Sequence, residues 1–136
     1  MKKDDCIFCK LANGEIPTNT IYEDNGFRVI LDAAPATKGH ALILPKDHYD
    51  DLYGIDADVA ADAMRLAKKI AGHMTEKLGC AGFNLVQNNG ACAGQTVFHF
   101  HLHLIPRYEN DGAGLTWKQT DPDAEAQKAL CEQLKM

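Results

Sequence analysis

The sequence predicts an α+β fold: a five-stranded, mostly antiparallel sheet covered by one long helix. Three observations carry this. Five short β-favouring runs are separated by turn-forming residues. One amphipathic stretch, from Asp56 or Asp58 to about Leu78, is long enough for a single long helix. Few right-handed parallel crossovers fit this order of elements, which favours antiparallel pairing. With 136 residues the chain forms one domain, residues 1–136, large enough for a core and too small for two.

The elements follow in order. Ile7 to Asn13 reads as a short helix stopping at Gly14. Thr20–Glu23 and Gly26–Leu31 read as strands, split by the turn sequence Asp24-Asn25-Gly26. Gly39–Pro45 carries Ala41-Leu42-Ile43-Leu44 and ends at a proline, giving a third strand. The long helix has an aspartate cap at its start and Gly79 as its stop. Val59, Ala63, Leu66, Ala67, Ile70, Met74 and Leu78 share one of its faces. Gly82–Gln87 is the fourth strand and Val97–Pro106 the fifth, joined through Asn88 to Gly94. Asp123–Lys135 has weaker helical character, and Trp117, the single tryptophan, suits core packing or a contact with a partner copy.

Composition narrows the function. Apolar residues make up 46% and charged residues 24%, ordinary for a soluble globular protein. No apolar run approaches bilayer-spanning length and no signal-peptide pattern opens the chain, so a cytoplasmic location away from membranes is expected. A net charge of −5 argues against nucleic-acid binding, which relies on Lys and Arg against phosphates. It leaves room for a small nucleotide held by local amides. Five cysteines with no disulfide spacing point to thiols or a metal site.

The chemistry concentrates in His99-Phe100-His101-Leu102-His103. On a strand, His99, His101, His103 and Ile105 share one face, while Phe98, Phe100, Leu102 and Leu104 share the other, an apolar core face. Alternate residues lie roughly 6.6–6.8 Å apart, so the imidazoles line a groove and act at successive points on a polyanion. A neutral imidazole attacks phosphorus, and a protonated neighbour serves the leaving group. Three ligands from one extended strand converge poorly on a single ion. Just upstream, Gly94-Gln95-Thr96-Val97 offers close backbone approach, an amide and a hydroxyl, the makings of a phosphate cradle.

These residues resemble the histidine triad (HIT) family, whose signature is His-φ-His-φ-His-φ-φ with φ apolar; here it is His99-Phe100-His101-Leu102-His103-Leu104-Ile105. Cys6-Ile7-Phe8-Cys9-Lys10, Gly14-Glu15-Ile16-Pro17, Tyr22-Glu23-Asp24, Gly39-His40, Leu44-Pro45-Lys46 and Gly94-Gln95-Thr96-Val97-Phe98 also resemble family segments in order, and residues 115–136 match least. The resemblance, to the nucleoside phosphoramidase branch, implies that His101 attacks the α-phosphorus of a purine nucleotide or nucleoside phosphoramidate and forms a nucleotidyl intermediate. It implies that a backbone carbonyl on the same strand orients the other ring nitrogen of His101, and that His103 and His40 contact the phosphate or leaving group and help with proton transfer. Asn88, Gly94, Gln95, Thr96 and Val97 would lie on the phosphate side, with Thr96 where relatives often have serine. Asp32 would hold the ribose, and Ile7, Phe8, Ile16, Ile30 and Leu31 would form or flank the base slot. A homodimer joined edge to edge is implied as well. Dinucleoside polyphosphate hydrolysis at the same site, or regulatory nucleotide binding, are the alternatives.

Cys6-x-x-Cys9 by itself suits a redox dithiol, half a zinc site or coincidence. A tetrahedral Cys₂His₂ site needs two further ligands, for which His48 and His99 are the candidates. Resemblance to the bacterial subgroup implies one structural zinc per chain on these four positions. On that reading His99 serves the metal while His101 and His103 face substrate.

Overall fold

The computed structural model describes all residues from Met1 to Met136. The elements in chain order are α1 (Ile7–Ala12), β1 (Thr20–Glu23), β2 (Phe27–Leu31), β3 (Ala41–Pro45), α2 (Ala57–Leu78), β4 (Gly82–Val86), β5 (Leu102–Arg107) and α3 (Ala124–Leu134), with a 3₁₀ turn at Ala91–Ala93. One sheet runs in the order β1-β2-β3-β5-β4, and every neighbouring pair is antiparallel.

Local chemistry sets these boundaries. The Asp24 carboxylate accepts from the Gly26 and Phe27 amides at 2.8 Å each, closing the β1–β2 turn. The Asp56 side chain accepts from the Asp58 amide and caps α2, while Gly79 ends it in the left-handed region at φ 63°. Gly39 has a tighter requirement: its φ is +91°, and a Cβ there would lie 2.6 Å from Leu78 Cδ1.

Strand alternation divides the sheet between two cores. Phe27, Val29, Ala41, Ile43, Leu102 and Leu104 face α2, meeting Ala63, Leu66, Ala67, Ile70 and Met74. Each large side chain so buried contributes about 1.5–3 kcal/mol. Ile30, Leu42 and Leu44 face the other way, against Ala12, Phe8 and Leu11 of α1. His103 pairs with Leu42 across β3–β5 and so belongs to this α1 side.

Two expectations change. The fifth strand begins at Leu102 rather than Val97, so His99 and His101 precede the ladder. Extending the β3–β5 register places residue 100 opposite Pro45, which has no N–H to give. The Pro45 carbonyl instead accepts from the His99 ring at 2.8 Å, and Phe98 is 48% exposed rather than core. The tail does form a helix, capped by Asp123, but no residue of α3 is buried and Trp117 is 86% exposed, which removes the core role. No helix is long and apolar enough to cross a membrane.

Candidate active site

A cavity of about 580 Å³ opens on the α1 side of the sheet, within the size range of small-molecule sites. Phe8, Leu11, Ile30, Leu31 and Leu42 give it apolar walls, while Asp32, Thr96, His101 and His103 bring polar groups to it. Pro17, Thr18, Asn19, Ala33 and Ala34 complete the rim.

The hydrogen-bond partners of each histidine fix its tautomer. His101 Nδ1 lies 2.6 Å from the His99 carbonyl oxygen, so this nitrogen donates and Nε2 keeps its lone pair. The Ala36 amide donates to His40 Nδ1 at 2.9 Å, leaving the proton of neutral His40 on Nε2. That Nε2–H donates to His103 Nδ1 at 2.9 Å, so His103 carries its own proton on Nε2. The two cavity histidines, with ring centroids 4.9 Å apart, therefore present one lone pair and one N–H.

Desolvation keeps this set uncharged. Burial lowers His101 from its ordinary value, against the raising effects of the His99 carbonyl and the Asp32 carboxylate. His103 falls to about 4, first from burial and then from repulsion by His101 and His40. His40 also falls through burial, and its Nε2 lies 3.5 Å from Asp32 Oδ2. His40 does not line the cavity; it meets two residues that do, His103 and Asp32.

The other expected residues divide between wall and support. Gln95 is buried, with its amide donating to the Asp50 and Val97 carbonyls and accepting from the Gly90 amide, so it braces the loop behind Thr96. Asn88 stands close against Gly94, whose φ is +95°. Ile7 and Val97 line a separate recess of about 300 Å³ with Lys3, Asp5, Cys6, His48, Thr96 and Phe98; Ile16 and Asn88 line neither. Leu11, Leu42, Thr18 and Asn19 escaped the sequence reading. Leu11 follows Phe8 by three residues on α1, and that helical spacing was the available signal.

A second cluster lies beside the first. The ligand atoms of Cys6, Cys9, His48 and His99 all fall within 4.8 Å of one another. Cys9 Sγ is 3.4 Å from both His48 Nδ1 and His99 Nδ1, and Cys6 Sγ is 3.5 Å from His99 Nδ1. A tetrahedral ion with bonds of about 2.3 Å to sulfur and about 2.05 Å to nitrogen gives S···N edges of about 3.5 Å. The histidines are also oriented for it. His99 Nε2–H donates to the Pro45 carbonyl and His48 Nε2 meets Asp50 Oδ1 at 2.6 Å, so both Nδ1 lone pairs face the sulfurs. These residues fit a closed four-ligand metal centre.

An imidazole pair of opposite polarity in a cavity of about 580 Å³ is equipment for histidine-dependent chemistry on a small molecule. The family description "HIT domain" matches residues 13–110, and the chain belongs to the histidine triad family. The adenosine 5'-monophosphoramidase hnt1 of Schizosaccharomyces pombe is 38% identical over 130 residues, covering 95% of each chain. A HIT family protein from Bacillus anthracis superposes with TM-score 0.88 at 40% identity, over 96% of this chain and 95% of that one. A Zn-bound histidine triad family protein from Mycobacterium smegmatis superposes with TM-score 0.77 at 36% identity, over 96% and 98%. At this level the chain is an enzyme, a nucleotide hydrolase of the histidine triad type.

Proposed function

We propose that the enzyme hydrolyses purine nucleoside phosphoramidates at the α-phosphate through a nucleotidyl-His101 intermediate. The observation that carries this is the tautomer pair: a lone pair on His101 Nε2 beside an N–H on His103 Nε2. The base lies among Phe8, Leu11, Ile30 and Leu31, and the ribose diol meets the Asp32 carboxylate. His101 Nε2 attacks phosphorus and the P–N bond to the leaving group breaks. The departing nitrogen takes a proton from solvent as it leaves as the neutral amine, while the His103 Nε2–H and the Thr96 hydroxyl donate hydrogen bonds to the phosphate oxygens. Water then attacks phosphorus, the P–Nε2 bond breaks, the proton of the attacking water returns to solvent, and the nucleoside monophosphate leaves. His40 acts behind His103, holding its tautomer.

Cys6, Cys9, His48 and His99 would hold one zinc ion, which when bound supplies a structural cross-link between α1 and the histidine segment and no open coordination position. The enzyme pairs as a homodimer through the free edge of β4, where Leu85 and Met64 are 41% and 56% exposed on the side facing α2. It works on free nucleotides in the cytoplasm.

The test is His101→Ala with adenosine phosphoramidate as substrate. Turnover falls more than about a thousandfold while AMP affinity stays within about threefold. Wild-type turnover by the variant would remove His101 as nucleophile. Diadenosine polyphosphate assayed alongside sets the leaving-group class.

A further inference from the structure

We propose that the Cys6/Cys9/His48/His99 centre sets the orientation of the nucleophile, making its four residues positioning residues for the reaction as well as a structural clamp. The proposal rests on the zinc and His101 assignments above. His101 stands where the sheet does not hold it: the β3–β5 ladder runs only from Ile43↔Leu102 onward, and β4 joins at His103. On the stretch before Leu102, the Phe100 amide donates to the Tyr49 carbonyl, outside the ladder. His103, by contrast, is laddered on both sides.

Two connections replace the missing ladder, and both start at the metal ligands. The first is His99. Its ring is fully buried and fixed at both nitrogens, Nε2 to the Pro45 carbonyl and Nδ1 to the two sulfurs, while its own carbonyl receives the His101 Nδ1–H. One residue thus ties the centre to the bond that decides which His101 nitrogen is free. The second is Phe8, which lies between the two cysteines on α1. Its ring meets His101 edge-on with centroids 4.9 Å apart and also approaches His99 at 6.2 Å. The Cys9 amide donates to Cys6 Sγ, so the cysteine loop that carries Phe8 is closed by the ligands themselves.

A shift of the ligands therefore moves a carbonyl and a ring that both touch His101, while Asp32 keeps its separate bonds to the Ala34 amide and His40. The signature is a loss of kcat per folded molecule that goes together with loss of the His101 tautomer; AMP affinity changes only as far as the Phe8 ring moves in the base slot. A clamp that only stabilised the fold would lower the amount of active protein and leave kcat per folded molecule unchanged.

The experiment uses the full chain with its metal content measured, then stripped with a chelator and reloaded with zinc. Circular dichroism reports folding, calorimetry reports AMP affinity, and ¹⁵N-histidine NMR reports the His101 tautomer. The expected result is a fall in kcat of at least about tenfold on stripping, the scale seen when groups supporting a site are removed. The His101 Nδ1–H form is lost along with kcat, and zinc restores both. A folded, stripped protein with unchanged kcat and tautomer overturns the proposal. If stripping unfolds the chain, Cys6→Asp, which keeps an anionic ligand, decides it. Reduced kcat per folded molecule with a mixed His101 tautomer supports the proposal, and wild-type values overturn it. Active protein purified without metal refutes the zinc assignment itself, and a tautomer change at constant kcat refutes His101 as nucleophile.

Discussion

At Gly39 the fold depends on a single absent carbon. A left-handed backbone costs a substituted residue about 1–2 kcal/mol, and the crowding against Leu78 and Pro106 adds an overpacking penalty of similar size. Gly39→Ala should therefore cost about 3 kcal/mol in chemical denaturation. Gly79→Ala, at φ 63° with nothing within 4 Å, should show only the backbone part. His103 gives a pH dependence. Its folded value of about 4 lies below the ordinary 6.5, so between these values the unfolded chain binds a proton that the folded chain does not. Stability is lost as pH falls through this window and recovered as pH rises. Denaturation at pH 7 and pH 5 should show a larger loss for wild type than for His103→Asn; equal losses would contradict the buried neutral form. Residue chemistry was legible in the sequence where identity alone decides it, as with three alternating imidazoles and two paired cysteines. The family resemblance implied a strand carbonyl behind His101, which His99 supplies; the protons of His99, His40 and His103 were not legible, because they depend on the Pro45 carbonyl and the Ala36 amide, groups that almost any residue could supply.

Among the elements, α2 was legible nearly to the residue because its cap, apolar stripe and glycine stop agree. Asp56→Ala should cost about 1 kcal/mol in the unfolding free energy and leave kcat untouched, since α2 packs on the face of the sheet opposite the cavity. The start of β5 was not legible. His99-Phe100-His101-Leu102-His103 alternates in the manner of a strand, yet its first half is diverted by a proline on the neighbouring strand and by the pull of His99 toward the cysteines. Periodicity records which residues alternate, while the ladder depends on what the partner strand can offer.

For the whole molecule, the antiparallel sheet followed from the few parallel crossovers the element order allows, and the cavity from the histidine face. The unpartnered surfaces did not. Leu85 and Met64 line a recess of about 530 Å³ with Ala61, Ala67 and Ala71 beside the free edge of β4. If the chain pairs through this recess as proposed, wild type should sediment as a dimer and Leu85→Lys as a folded monomer; a monomeric wild type or an unchanged sedimentation coefficient would contradict that pairing. The exposure of α3 and Trp117 was beyond reading from the sequence, because an amphipathic pattern shows that a face wants cover without showing that this chain supplies it.

The opposed polarity of His101 and His103 also makes the cavity handed. A substrate phosphate has two non-bridging oxygens that differ only by the side of the molecule they occupy. With a lone pair on one flank and an N–H on the other, the two oxygens meet unlike neighbours. Replacing one of them with sulfur creates two diastereomers that the enzyme should tell apart, and two successive in-line displacements on the preferred one should return phosphorus to its starting configuration.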